Sequence, residues 1–92
     1  MKAVKVTVSG RVTGVGFRWS AKRQANQYDD LRGWVRNCDS RTVQALVQGE
    51  EAAVDAMAAW LRHGPPGARV ESCRIEPAGL NERLPPFHIE HF

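Results

Sequence analysis

The feature that most restricts this chain is a change of hydrophobic period across a glycine-rich stretch. From Lys2 to Ser9 apolar and polar residues alternate, with Val4, Val6 and Val8 on one face and Ala3, Lys5 and Thr7 on the other. A period of two predicts a half-buried strand. Gly10-Arg11-Val12-Thr13-Gly14-Val15-Gly16-Phe17-Arg18 follows, with three glycines in seven positions. Trp19 to Tyr28 then reads as a helix: Phe17, Ala21, Ala25 and Tyr28 recur at helical spacing, while Lys22, Arg23 and Gln27 face water. The chain must therefore leave a strand, turn tightly through backbone with few Cβ atoms, and enter a helix. Such a loop presents unpaired N–H groups and the positive end of a helix dipole, which together favour an anion. Arg18 adds a planar positive fork suited to phosphate or carboxylate.

The remaining segments continue the pattern. Asp29-Asp30 ends the first helix, Leu31 to Cys38 resumes strand character, Asp39-Ser40-Arg41 reads as a tight turn, and Thr42 to Gln48 alternates through Val43, Ala45 and Val47. These two strands form a hairpin. Gly49 breaks the alternation, and Glu50 to His63 is an alanine-rich helix with a stripe of Val54, Met57, Ala58 and Leu61, stopped by Gly64-Pro65-Pro66-Gly67. Arg69 to Glu76 is a strand in which Val70 and the pair Cys73, Ile75 fall on opposite parities, so a bulge or bend is expected there. Pro77 to Pro86 is a turn-rich connector, and Phe87 to Phe92 supplies a short last strand with Phe87 and Ile89 on one face. The order is β-α-β-β-α-β with a short final strand, the pattern of a ferredoxin-like α+β sandwich with two helices on one face of an antiparallel sheet.

A chain of 92 residues has material for one compact domain and no second core. No apolar run approaches membrane-spanning length, and the first residues lack the apolar segment of a secretory signal, so no membrane association is expected. The formal charge of +3 favours acidic partners, either a small phosphorylated substrate or nucleic acid, without choosing between them. Cys38 and Cys73 make neither a CxxC motif nor a disulfide framework, which suits a reducing cytosol. The ferredoxin-like topology puts their strands on opposite edges, too far apart for a disulfide.

Few side chains outside the loop can carry chemistry. Asn37 ends Gly33-Trp34-Val35-Arg36-Asn37, where it is either a turn residue before the hairpin or a neutral amide aimed at the same space as the glycine loop. Trp34 and Trp60 read as packing. The three histidines do not make a metal site: His88 and His91 differ in strand parity, and His63 sits at a helix C-terminus. A cysteine-nucleophile loop would need Cys six residues before Arg18, where Val12 stands, and no Asp, Glu or His lies inside the loop as general acid or base.

The run Val8 to Arg18, then Gly33-Trp34-Val35-Arg36-Asn37, Thr42-Val43, Gly49 and the closing Phe87-His88-Ile89 resemble the acylphosphatase family over nearly the whole chain. The resemblance implies one acylphosphatase-like domain over residues 1–92, the ferredoxin-like fold and hydrolysis of carboxyl-phosphate bonds. It also implies a phosphate-binding arginine, carried here by Arg18, and a water-holding asparagine, carried by Asn37. The phosphoryl oxygens would then meet the backbone of Val12, Thr13, Gly14, Val15, Gly16 and Phe17 together with Arg18. A carboxylate leaving group has a conjugate acid of pKa about 4 and departs without a proton donor, so positioning and charge stabilisation suffice. The expected protein is cytoplasmic and monomeric, needs no cofactor or metal, and takes a small acyl phosphate, with inorganic phosphate as product and inhibitor. Two residues depart from the family pattern. Thr13 stands where the family usually has Gln, and Arg41 where it usually has Gly, so Arg41 is expected to carry the strain of a positive φ. The rival readings are a nucleic-acid-binding ferredoxin-like module and a non-catalytic accessory domain of the same family. The first is disfavoured because the first and third strands offer no aromatic residue for stacking bases.

Overall fold

The computed structural model describes residues 1–91. Its elements are β1 (Lys2–Arg11), α1 (Phe17–Ala25), β2 (Arg32–Asp39), β3 (Thr42–Gly49), α2 (Glu51–His63), β4 (Arg69–Pro77) and β5 (His88–Ile89). The strands form one sheet in the order β4-β1-β3-β2-β5. The valines that alternate in the sequence face each other across the inner pair, Val4 with Val47, Val6 with Ala45 and Val8 with Val43. All six are buried, as are Phe17, Ala21 and Ala25 of α1 and Val54, Met57, Ala58 and Leu61 of α2. Each helix thus lays its apolar stripe on one face of the sheet, at about 1.5 to 3 kcal/mol for each large apolar side chain removed from water. Phe17 and Trp60 join the two helices through a tilted ring contact, 5.7 Å between centroids.

The parity conflict in β4 resolves as a bulge. Ser9 pairs with Ser72, and the next residue, Gly10, pairs with Val70, so Glu71 is the extra residue. Helix α1 ends earlier than its spacing predicts: after Ala25 the chain tightens, with Gln27 N–H bonded to the Gln24 carbonyl and Tyr28 N–H to the Ala25 carbonyl. Tyr28 still packs against the core, from a turn rather than from the helix. The two cysteines are free.

Two expectations require correction. The last strand pairs regularly only at His88 and Ile89, and it runs parallel to β2, opposite Trp34 and Val35, so the sheet is mixed rather than purely antiparallel. Phe92, expected in that strand, lies outside the described residues. The direction follows from the route of the connector. Strand β4 ends beside Val4, at the end of the sheet where β2 begins. Connector residues stay at that end, where buried Gln48 donates to the Asn81 carbonyl and accepts from its N–H, and the Leu84 carbonyl accepts from Arg32. A chain that arrives at the start of β2 can only run alongside it.

The second correction concerns Arg41. No non-glycine residue among those described has a positive φ, so Arg41 carries no left-handed strain. The turn is held by side chains instead: Asp39 accepts from the Arg41 N–H at 2.8 Å, and Arg41 pairs with Glu71 at 2.8 Å. A hairpin turn without positive φ mismatches the twist of its strands. The mismatch is taken up at Cys38, where the register slips between Asn37 and Asp39.

Candidate active site

The glycine loop reaches α1 through two left-handed residues, Gly14 at φ 72° and Gly16 at φ 74°. A Cβ on either would meet nothing within 4 Å, so glycine is required by the backbone conformation and not by lack of room. Gly16 is the N-cap of α1. No side chain caps it, no acidic residue lies in the first turn, and the first helical bond runs from the Ser20 N–H to the Gly16 carbonyl. The N–H groups of the first turn therefore have no helical partner, and the positive end of the helix is uncompensated. Val12 pins the loop from below, its side chain fully buried.

Asn37 enters the same space from β2. It pairs with Val43, which pairs with Val8, so it occupies the helix-side face in the same row as two core valines. Two residues beyond buried Val35 on that face, an exposed polar residue replaces the apolar one. Loop, helix start and Asn37 enclose a cleft of about 290 Å³ lined by Val12, Thr13, Gly14, Gly16, Phe17, Arg18 and Asn37. Neither Arg18 nor Asn37 makes a side-chain hydrogen bond or ion pair with any described residue. A charged fork and an amide thus line one cleft with their side-chain polar atoms uncommitted among the described residues. Val15 is the one predicted loop residue that does not line the cleft; its side chain packs against the core. Thr13 ties the loop to the hairpin, its hydroxyl donating to the Ser40 carbonyl at 2.6 Å.

Three lining residues escaped the sequence reading: Trp19, Ile89 and His91. Trp19 follows Arg18 and is 63% exposed. Ile89 and His91 come from the C-terminal segment, and only the parallel placement of β5 brings them to the cleft. The segment is anchored by its backbone, Phe87 N–H donating to the Leu31 carbonyl and Glu90 N–H to the Val35 carbonyl, and is braced internally by His88, which stands 3.0 Å from the Pro86 carbonyl through Nδ1 and 2.5 Å from the Glu90 carboxylate through Nε2. Both contacts need an N–H, so they favour the imidazolium. The bond to Glu90 raises the His88 pKa, against the opposing effect of burial. Another hollow, between the helices and floored by Trp60 and Pro65, holds Arg23 but no loop amides and no Asn37.

Known proteins resemble this chain in sequence and in fold. The family model described as Acylphosphatase matches residues 4–89. A curated acylphosphatase of Burkholderia cenocepacia is 48% identical over 82 residues, covering 89% of this chain and 83% of that protein. The crystal structure of acylphosphatase from Bacillus subtilis superposes with a TM-score of 0.89 at 31% identity, over 99% of this chain and all of that one. An acylphosphatase structure from Coxiella burnetii gives 0.87 at 32% identity, over 97% of this chain and 92% of that one. With a family model matching residues 4–89, relatives nearly half identical over most of their length and the whole fold shared, the chain belongs to the acylphosphatase family.

Proposed function

We propose that this protein hydrolyses the carboxyl–phosphate bond of small acyl phosphates, releasing a carboxylate and inorganic phosphate. The observation that carries the reading is the meeting of an uncapped helix start, Arg18 and Asn37 in one cleft, with both side chains unpartnered among the described residues. The loop N–H groups and Arg18 hold the phosphoryl oxygens, as donors already aimed where charge accumulates. Asn37 holds a water in line with the P–O bond to the acyl group. Water attacks phosphorus, that bond breaks with its electron pair going to the carboxylate, and the water's proton passes to a phosphoryl oxygen. Cleavage needs neither metal nor protein acid, because the leaving group is already a weak base. The same reading makes the domain a monomer of the cytoplasm that is inhibited by inorganic phosphate.

His91 is the titratable side chain in the cleft wall, and its role separates two chemistries. Acetyl phosphate should turn over in the presence of a chelator while glycerol phosphate is spared, and His91→Ala should change acetyl phosphate turnover by about threefold or less, since no proton is needed. Comparable hydrolysis of the two compounds, or a hundredfold loss in His91→Ala, would make His91 a proton donor and replace this reading with a phosphomonoesterase.

A further inference from the structure

The cleft does not end at the phosphate loop. Trp19 and Ile89 also form the walls of an adjoining hollow of about 250 Å³, completed by Lys22, Arg23 and Asn26. The two hollows thus share an aromatic face and an aliphatic one. Trp19 is 63% exposed, an unusual position for an indole with no partner except the Arg23 guanidinium, which stands 5.5 Å from its ring centroid. Neither Lys22 nor Arg23 has a carboxylate partner among the described residues, and no Asp or Glu lines either hollow.

We propose that this second hollow is the acyl subsite, and that it selects acyl phosphates whose acyl group is flat and ends in a second anionic group. The inference rests on the acyl-phosphate reading of the neighbouring cleft. With the phosphoryl group at Arg18, an acyl group directed over Trp19 passes straight into the second hollow, because Trp19 and Ile89 line both. The indole and Ile89 cover the two sides of a flat group, which gains from leaving water and from stacking. Lys22 lies one helical step beyond Arg18, four residues or about 6 Å along the axis, roughly the span of a para-substituted ring. A distal carboxylate therefore reaches Lys22 and the edge of Arg23 while the phosphoryl group stays at the loop. A neutral distal end would leave both cations without a partner, so the subsite discriminates by charge as well as shape.

The test compares benzoyl phosphate with 4-carboxybenzoyl phosphate at low ionic strength. The expected kcat/KM ratio favours the carboxylated compound by about two- to fivefold, the size of a single partly exposed ion pair, and shrinks as salt is added. In the double variant Lys22→Gln, Arg23→Gln the ratio should fall to about one, whereas Arg74→Gln, a neutralisation on the far edge strand, should leave it unchanged. Trp19→Ala should raise KM for both compounds. Hydrolysis of both with a ratio near one in the parent protein, or a ratio insensitive to the double variant, overturns the subsite. An equal loss in Arg74→Gln also overturns it, because general charge steering would then explain the preference. Failure to hydrolyse benzoyl phosphate at all is a different result, and would remove the acyl-phosphate reading itself.

Discussion

The glycine loop and the hairpin turn lie against each other, joined by the Thr13–Ser40 hydrogen bond, yet they are held in opposite ways. The turn closes on itself through side chains: Asp39 caps the Arg41 N–H, Arg41 pairs with Glu71, and the Arg41 carbonyl accepts from Gly10. The loop is shaped by left-handed glycines and one buried valine, and the first turn of α1 beyond it is left uncapped. Polar groups in the turn are spent on structure, while those at the loop and helix start remain for a ligand. A short surface loop adjoining uncapped amides is stable only where water or an anion takes their place, and that contrast supports the loop as the proposed phosphate site.

The largest effects should come from the two side chains that face the open amides. Under the proposed function the guanidinium meets phosphoryl oxygens before and during reaction, so Arg18→Ala should weaken binding of inorganic phosphate and lower kcat together. Asn37→Ala should leave phosphate affinity nearly intact while kcat falls by about 10² or more. Calorimetric phosphate titration of both variants decides between ligand and water-holding roles: if Asn37→Ala loses phosphate as badly as Arg18→Ala, Asn37 is a ligand.

Backbone strain comes next. Gly16→Ala meets no steric obstacle but must hold a left-handed conformation, so it should cost about 1 to 2 kcal/mol in chemical denaturation. The variant should also bind phosphate less tightly, since relaxing φ re-aims the first-turn amides. An unchanged midpoint would mean that the loop readily adopts another path.

Breaking the contact between the two segments should matter less. Thr13→Val removes one hydrogen bond, worth about 0.5 to 1.5 kcal/mol, and should lower activity through a looser loop. Arg41→Gly removes an exposed ion pair worth about 0 to 1 kcal/mol and loosens the unfolded chain. It should therefore lower the melting temperature slightly, whereas a rise would reveal backbone strain at Arg41.

The smallest effect expected is on pH dependence. The His88 pKa is raised in the folded protein, so the stabilisation by its contacts is complete below the unfolded value of about 6.5. It is lost as pH rises through the folded value. The difference in melting temperature between the parent and His88→Gln should shrink as pH rises above about 6.5 and through the raised folded value; a constant difference would show that the imidazolium contributes nothing.

Much of the molecule was legible before folding was considered. Val4, Val6, Val8, Val43, Ala45 and Val47 alternate strictly, and a one-residue slip of either strand would turn its valines to water, so register follows from local order. The β4 bulge was equally visible, because Val70 and Cys73 cannot share a face without an extra residue. Gly14, Gly16 and Arg18 marked the loop, and the family resemblance singled out Asn37. The family pattern does not predict the turn at Arg41, because a position that accepts glycine elsewhere need not have positive φ once Asp39 supplies a side-chain cap.

What the chain could not disclose locally is whatever depends on where distant segments meet. A two-residue strand has no periodicity from which to read direction, so the parallel pairing of β5 was settled by the connector, which remains at the end of the sheet where β2 begins. That pairing carries Ile89 and His91 to the cleft and sets Ile89 beside Trp19. Local sequence thus determined the strands, the helices and the glycine loop, because hydrophobic period and backbone conformation act over a few residues. The tertiary structure alone decided what stands around that loop, because proximity between residues 19 and 89 arises only from the path of the whole chain.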